Sequence, residues 1–274
     1  MREKWPFRAD DLEELDRNLL SKAARVVAME DVHDGDRAPN VIALRHDCDA
    51  GHSLQTAVKM ARWEHDRGYR STYYLLHSSP YWTAREFPDL VERLALFGHE
   101  IGIHANGIAE AFRTGDHPDS ILERALDRLR GLGHKVRGVA GHGDPLCRRD
   151  RTDDEEWFAN DEQFLECAQM RKREPTRELS RGATTITLWP RPLGDFGLEY
   201  EALCCALPYH WRCSDSGGRW MDPGFEETAE RFASQADVTV PPAATGDRRQ
   251  LHLLIHPDWW AASFPRVPVA EPAT

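Results

Sequence analysis

The sequence predicts an α/β fold: a distorted (β/α)7 barrel of the TIM type, built as a single domain with an extra N-terminal helix. Strand-like and helix-like segments alternate along most of the chain, which is typical of parallel strands joined by helices. They form roughly six or seven strand–helix units, which favours a barrel over an open sheet. A length of 274 residues suits one large unit of this kind.

The N-terminal helix is predicted over residues 10–28, where Leu12, Leu15 and Leu19 recur at helical spacing and Asp10 supplies the cap. The segments that follow alternate in type. Strands are predicted at 41–47, 70–76, 100–104, 136–140, 184–188 and 251–255, and helices at 53–67, 88–97, 120–132, 154–172 and 225–233.

We expect three regions in the chain: a helical extension at 1–37, the barrel at 38–262 and a loose Pro-rich tail at 263–274. The apolar stripe of the N-terminal helix would cover the bottom of the barrel or form a dimer contact. The sequence does not decide between these roles, and it leaves the oligomeric state open.

Composition argues against several classes of protein. A formal net charge of -11 speaks against a nucleic-acid partner, which normally needs a basic face, and neutral or cationic small molecules and glycans fit better. The six cysteines include no C-x-x-C pair, so neither a zinc ribbon nor a disulfide framework is predicted. With no apolar run of about 18 residues and no signal peptide, we expect a cytoplasmic chain without a membrane span.

Barrel enzymes hold their functional side chains at the carboxyl ends of the strands. The first strand ends with Arg45, Asp47 and Asp49, and the two carboxylates share a face if the strand continues. Such a pair either shares a metal ion or divides into a ligand and a base. The alternative is that one of them caps the next helix.

Histidines end two further strands. His99 and His104 differ by five positions and point to opposite faces, so only His104 is a metal-ligand candidate and His99 is expected to make structural hydrogen bonds. His142 lies among glycines after the 136–140 strand, where a functional role and a structural role in the loop both fit the sequence.

The last strand ends at His256, a candidate proton donor, and Trp259 follows it. An exposed Trp259 would stack on a sugar ring, and burial in the core is the alternative. Asp215 and Trp220 lie in a glycine-rich loop. There Asp215 would orient a catalytic histidine or bind substrate, or else satisfy its own turn.

The order of these motifs resembles the polysaccharide deacetylase superfamily, the NodB-homology carbohydrate esterases, from about residue 41 to 260. Members of that family have a distorted (β/α)7 barrel. They remove N- or O-acetyl groups from sugars with a divalent metal ion, usually zinc.

The resemblance implies a role for each motif. It makes Asp47 the general base, Asp49 and His104 metal ligands, and His256 the general acid. It also implies that an aspartate and a tryptophan orient the acid and line the pocket. Asp215 and Trp220 stand at those two positions. Trp259 and Arg45 are two further residues that we expect to contact substrate.

The sequence departs from the family at two points. The second metal-binding histidine, four residues after the first, is replaced by Ile108, and His142 is the nearest substitute for it. The predicted ligands of the ion are therefore Asp49, His104 and His142. The arginine that orients the base is also absent from its usual motif, so Arg45 or Arg148 would have to replace it.

We therefore expect a metal-dependent deacetylase with one divalent ion, zinc in the first place, that removes an acetyl group from an N-acetylated sugar or glycan intermediate. A cytoplasmic enzyme of this kind would act on a nucleotide-linked or lipid-linked sugar or on a biosynthetic intermediate. Two alternatives stay open. One is a non-catalytic glycan-binding barrel, which Ile108 favours, and the other is a metal-dependent hydrolase of another bond, such as a phosphoester.

Overall fold

The computed structural model describes residues 4, 6–35, 40–147, 158–174, 176–203, 211–221, 224–236 and 250–264. They form an α/β fold around a curled parallel sheet, as the sequence predicts. The strands are β1 (Arg25–Val27), β2 (Val41–Cys48), β3 (Thr72–Leu76), β4 (Glu100–Ala105), β5 (Gly138–Gly141), β6 (Arg177–Arg181), β7 (Thr184–Leu188), β8 (Tyr200–Glu201), β9 (Trp211–Ser214) and β10 (Gln250–Ile255). The helices are α1 (Ala9–Asn18), α2 (Met29–His33), α3 (Ser53–His65), α4 (Phe87–Leu96), α5 (Gly107–Thr114), α6 (Pro118–Gly131), α7 (Leu165–Met170) and α8 (Phe225–Ala236).

Strand β2 lies in the middle of the curled sheet. Hydrogen-bonded neighbours follow the order β8-β5-β4-β3-β2-β10-β9, and β1 pairs with the first residues of β2. In this register Tyr74 of β3 lies beside Asp47, and Leu253 of β10 lies beside Leu44. Because these pairings are parallel, the carboxyl ends of the strands meet at one edge of the sheet.

The inner face of the sheet is packed with side chains rather than open. One buried cluster there includes Val27, Val41, Ala43, Tyr74, Ala140, Tyr200 and Ala202. Two glycines make room for its tyrosines, since a Cβ at Gly102 would overlap the Tyr74 ring and a Cβ at Gly138 would overlap Tyr200. The interior is therefore a core, and a site must lie at its mouth.

The outer face of the sheet packs against the helices. Ile42 and Leu44 of β2 share a buried cluster with residues of α1 and α8. Ile101 and Ile103 of β4 share another with residues of α3, α4 and α6. Because both faces are covered, every residue of β2 is buried, as is usual for parallel sheets.

The N-terminal region differs from the single helix predicted over residues 10–28. Helix α1 ends at Asn18, a short 3-10 helix covers Leu20–Lys22, and Arg25–Val27 form β1 beside β2. The prediction failed because Val26 and Val27 of this strand also fit the apolar stripe of a helix. Pairing with β2 is what selects strand over helix here.

The amino ends of the strands are covered by α2. The backbone N–H of Met29 donates to Thr72 Oγ1 at 2.8 Å, and that of Glu30 donates to Glu100 Oε2 at 3.0 Å. These acceptors start strands β3 and β4. The N-terminal region therefore covers the bottom of the sheet through α2, a helix that the sequence analysis did not predict.

Residues 184–188 form a strand, as predicted, but not a parallel one. This strand, β7, pairs with β6 in a separate antiparallel two-stranded sheet, with Arg177 opposite Leu188 and Arg181 opposite Thr184. Only two residues separate β6 from β7, and Gly182 between them has a φ of +55°. A connection this short permits only a hairpin, because parallel neighbours need a crossover of about a dozen residues.

The long helix predicted over residues 154–172 is also wrong over its described part. A 3-10 helix covers Asn160–Gln163, and α7 runs only over Leu165–Met170. Phe164 between them is extended and buried. The sequence pattern also missed α5, β6 and β8. It missed β9 as well, whose last two residues belong to the stretch that was expected to be a glycine-rich loop.

The edge strands of the curled sheet are β8 and β9. Within the described ranges no strand pairing joins these two edges, so the structure has a curled sheet and the closed seven-stranded barrel stays a prediction. In the same part of the chain, no helix has the length and apolar character needed to cross a membrane. The predicted loose tail lies, from residue 265 onward, outside the described residues.

Candidate metal and catalytic site

Polar side chains gather at the edge where the parallel strands end. Each comes from the end of a strand or from the residue that follows it. Strand β2 contributes Asp47 and Asp49, β4 contributes His104, β5 is followed by His142, β9 by Asp215 and β10 by His256. Parallel pairing brings together residues that are far apart in the sequence, as predicted from their places at strand ends.

Three of these side chains bring their ligand atoms to one point. Asp49 Oδ1 lies 3.3 Å from His104 Nε2 and 3.7 Å from His142 Nδ1, and the two ring nitrogens are 3.2 Å apart. A tetrahedral zinc ion with bonds of about 2.0–2.1 Å needs ligand atoms about 3.4 Å apart. The trio predicted from the sequence therefore has the spacing of one face of a zinc tetrahedron.

The orientation of His104 is fixed by the neighbouring strand. Its Nδ1–H donates to the carbonyl oxygen of Ala140 at 2.9 Å, which turns Nε2 towards Asp49. Burial disfavours the charged ring, but the carboxylates of Asp47 and Asp49 outweigh burial and raise the pKa of His104. The two carboxylates thus stabilise a positive charge beside His104 Nε2, whether a proton on the ring or a divalent cation.

His142 is held from its backbone. Its N–H donates to the carbonyl oxygen of Ala105 at 2.8 Å, and Asn160 Nδ2 donates to the carbonyl oxygen of His142 at 2.7 Å. Burial, with a contribution from His104, lowers the pKa of His142 to about 4, so the ring is neutral at pH 7 and offers a lone pair. Ile108, four residues after His104 in the sequence, lies on α5 and is buried in a hydrophobic cluster.

The residues present fit a divalent metal ion. Two imidazoles and one carboxylate are a usual ligand set for zinc and related ions. When His104 Nε2 carries a lone pair, the buried Asp49 Oδ1 has no hydrogen-bond donor in the described part of the chain. Leaving a buried carboxylate oxygen unsatisfied is costly, so a cation is the partner that this arrangement suits.

Arg45 lies beneath Asp47 and binds it with two hydrogen bonds. Nε donates to Oδ1 at 3.0 Å, Nη2 donates to Oδ2 at 2.6 Å, and both side chains are buried. Burial alone would raise the pKa of Asp47, but the Arg45 guanidinium outweighs it and holds that pKa far below its usual range. The expectation that Arg45 contacts substrate is corrected, since it is 1% exposed and positions Asp47. Arg148, the other arginine expected to orient the base, lies outside the described residues.

His256 and Asp215 form a second buried pair. His256 Nδ1–H donates to Asp215 Oδ1 at 2.7 Å, and Trp260 Nε1–H donates to Asp215 Oδ2 at 2.8 Å. Burial opposes the charged ring, but Asp215 outweighs it and raises the pKa of His256 to about 9. The other ring nitrogen, Nε2, lies 4.0 Å from Asp49 Oδ2. A protonated imidazole therefore faces the candidate metal-ligand trio of Asp49, His104 and His142.

The two tryptophans expected to contact substrate lie in different environments. Trp220 is 9% exposed and packs between Phe7 and Phe225, so it is mainly a core residue, which corrects the expectation for it. Trp259 is partly exposed and lines an open cavity of about 630 Å³. Only Trp259 is placed where it could touch a ligand without rearrangement.

His99 makes structural contacts, as predicted. Its Nδ1 accepts from the Ser71 backbone N–H at 3.1 Å, and its Nε2–H donates to the Ala61 carbonyl oxygen at 2.9 Å. Both contacts lie on the outer face of the sheet, away from the metal-ligand trio. The five-residue spacing from His104 therefore separated a structural histidine from a candidate ligand correctly.

Two residues near the trio were missed from the sequence. The Asp258 carboxylate accepts the backbone N–H groups of Asp49 and Ala50 at 3.3 and 3.1 Å and so holds the segment that carries Asp49. His77 follows β3 directly, and its Nε2 accepts from the Asn106 backbone N–H at 2.9 Å. Burial, with His104 and His142 nearby, lowers the pKa of His77 to about 4. The strand-end rule that selected His104 would also have selected His77.

Comparison of the chain with protein-family models, with curated proteins and with solved structures finds no match. The chemistry of the site is therefore inferred from its own geometry. That geometry brings two further groups close to the candidate ligands: the buried, ionised Asp47 carboxylate, 3.6 Å from His104, and the protonated His256 ring, 4.0 Å from Asp49.

Proposed function

We propose that this chain is a metal-dependent deacetylase that hydrolyses the acetamide of an N-acetylated sugar, in a distorted (β/α)7 barrel that resembles the polysaccharide deacetylases. The observation that carries the proposal is the convergence of Asp49, His104 and His142, with Asp47 within 3.6 Å of His104 and His256 within 4.0 Å of Asp49. Hydrolysis of an amide needs a base for water and an acid for the leaving amine, and both are present.

The ion would be held by Asp49 Oδ1, His104 Nε2 and His142 Nδ1, and zinc suits these ligands best. Three protein ligands are the usual number in catalytic zinc sites, which keep one position for water or substrate. When bound, such an ion lowers the pKa of water and polarises the acetyl carbonyl. Asp258 and Ala140 support the ligands from outside, because they bond to the Asp49 backbone and to the His104 ring.

Asp47 is suited to accept the proton of the attacking water. Its Oδ2 lies 3.6 Å from His104 Nε2, and Arg45 keeps the carboxylate ionised and fixed in orientation. A carboxylate held in this way loses no orientation entropy when the reaction begins.

His256 is suited to protonate the amine that leaves. With a pKa of about 9 the ring carries its proton at neutral pH, and Asp215 fixes which nitrogen faces the site. Attack of the water first forms the new C–O bond. The C–N bond then breaks, acetate is released, and the proton from His256 Nε2 ends on the sugar amine. A protein that only bound glycans would need neither the buried ionised carboxylate nor the protonated imidazole.

Release of acetate from N-acetylglucosamine and its oligomers tests the proposal. We expect turnover by the wild type and a loss of about 10²–10⁴-fold in kcat for Asp47→Asn and for His256→Gln. The matched control is His65→Ala, because His65 is an exposed histidine whose ring donates to the Phe97 carbonyl oxygen, away from the candidate site, and this variant should keep full activity. Full activity in both site variants would contradict the proposal.

A further inference from the structure

A groove of about 630 Å³ opens at the surface beside the loop that follows Asp215. It is lined by Lys4, Ser216, Gly217, Gly218, Arg219 and Trp259, with Met221 at its rim. Ser216 directly follows Asp215, the partner of His256. The backbone N–H of Trp259 donates to the carbonyl oxygen of His256 at 3.0 Å. The groove is thus attached to the residues that hold the proposed general acid.

Two cations lie side by side in the lining of this groove. Lys4 and Arg219 form an antiparallel backbone bridge, so their side chains leave the chain on the same side, and both are exposed. Like charges directly opposite each other in such a pair repel. Within the described ranges neither side chain pairs with a carboxylate, whereas Arg67 and Arg70 each bind two.

These two exposed cations contrast with the acidic balance of the chain. The formal net charge is -11, so carboxylates are in excess, yet within the ranges that the structure describes none forms an ion pair with either cation. An anion in the groove would relieve their repulsion and accept bonds from both. Arginine binds phosphate through a planar fork of N–H donors, and lysine adds a point charge.

We propose that the groove binds a phosphate or pyrophosphate ester attached to the sugar, so that the substrate of the proposed deacetylase is a sugar phosphate or nucleotide-linked sugar. This inference rests on the proposed function for the position of the acetyl group, but the anion site itself does not. Trp259 supplies a flat, partly exposed ring against which a sugar or base stacks. Lys4 and Arg219 supply the two positive charges that a phosphate ester or pyrophosphate requires.

The test begins with a ligand that has no acetyl group. Uridine diphosphate and inorganic pyrophosphate are titrated by calorimetry into the full-length protein, its Lys4→Ala and Arg219→Glu variants, and Lys22→Glu. We expect both ligands to bind the wild type, about tenfold weaker binding in Lys4→Ala, and at least tenfold weaker binding in Arg219→Glu. Lys22→Glu makes the same change of charge at an exposed lysine that lines a different cavity, together with Glu14, Glu226 and Glu230. This variant should bind both ligands as the wild type does.

The second readout is acetate release from N-acetylglucosamine, its 1-phosphate and N-acetylmuramic acid, a carboxylate-bearing sugar. We expect kcat/KM to be at least tenfold higher for the phosphate ester than for the neutral sugar, and Arg219→Glu to remove this preference. Equal use of the neutral and phosphorylated sugars, or preference for the carboxylate sugar, would overturn the phosphate assignment.

The two proposals fail in different ways. Diphosphate binding that depends on Arg219, without acetate release from any sugar, would support the anion site and contradict the deacetylase. Acetate release together with no diphosphate binding, or with binding unchanged in Arg219→Glu, would support the deacetylase and overturn the anion site.

Discussion

The guanidinium of Arg45 is bonded to both oxygens of Asp47, at 3.0 and 2.6 Å, although the two residues are only two positions apart on the same strand. Alternate residues of a strand share a face, so the pair lies on the inner face of β2, one residue above the other. Both side chains are buried, and a buried charge of this kind is tolerated only with its partner in place.

Removal of the arginine should therefore change the pH dependence of the proposed reaction. In Arg45→Met the pKa of Asp47 loses its main source of stabilisation and rises, because burial then dominates. We expect the acid limb of the kcat/KM profile to move to higher pH and the protein to lose about 3–5 kcal/mol of stability. Arg124→Met, which breaks an exposed ion pair with Asp116, is the control. Superimposable pH profiles of Arg45→Met and wild type would contradict this role.

The proton of His256 depends on Asp215. In the wild type the pKa of His256 is raised from 6.5 to about 9, so the stability from this pair is present below pH 6.5 and is lost as the pH rises through 9. Asp215→Asn should return the pKa of His256 towards or below 6.5. The basic limb of the kcat profile, near pH 9 in the wild type, should then move to lower pH. Asp127→Asn, an exposed change on α6, should leave the limb in place.

Glu100 makes the fold itself sensitive to pH. Burial, with a contribution from the charge of Glu30, raises the pKa of Glu100 from 4.5 to about 7, and Thr72 and Tyr200 donate hydrogen bonds to it. A raised carboxyl pKa stabilises the fold below pH 4.5, and this stability is lost as the pH rises through 7. The full difference is about 3 kcal/mol.

The Glu100→Gln variant should therefore lose less stability between pH 4.5 and 8 than the wild type does, by about 3 kcal/mol. Urea unfolding at several pH values measures this difference. Glu92→Gln, at an exposed position of α4, should follow the wild type. Parallel stability curves of wild type and Glu100→Gln would show that the carboxyl group titrates normally.

The glycine at position 102 is required by packing. An added Cβ would overlap the Tyr74 ring, which is fully buried and cannot move aside. We expect Gly102→Ala to lower the free energy of unfolding by about 1–3 kcal/mol. Gly131→Ala is the matched control, because nothing lies within 4 Å of its added Cβ and alanine favours helix, so that variant should be as stable as the wild type or more so. The midpoints of urea unfolding of Gly102→Ala, Gly131→Ala and the wild type measure these differences.

Much of the site could be predicted from the sequence because polar residues at the ends of apolar strands meet when the strands are parallel. Asp49, His104 and His142 come together as expected, and Arg45 lies beside Asp47, the proposed base. The burial of Trp220 could not be predicted, because it depends on Phe7 and Phe225, which are distant in the sequence.

The fold was predictable where periodicity and length agree. Strands β2, β3, β4 and β10 lie where the apolar runs predict them. The strand at Arg25–Val27 and the hairpin of β6 and β7 depend on pairing with other segments, which local patterns do not contain. His77 was within reach of the strand-end rule and was missed.

Metal content of the purified protein tests the central assignment most directly. Elemental analysis of the wild type, after dialysis against zinc and removal of excess, should find about one equivalent of a divalent metal ion per chain. Asp49→Ala and His142→Ala should retain little or none, while His65→Ala should match the wild type. A wild-type protein that binds no metal after supplementation, or a His142→Ala variant as fully loaded as the wild type, would contradict the three-ligand site.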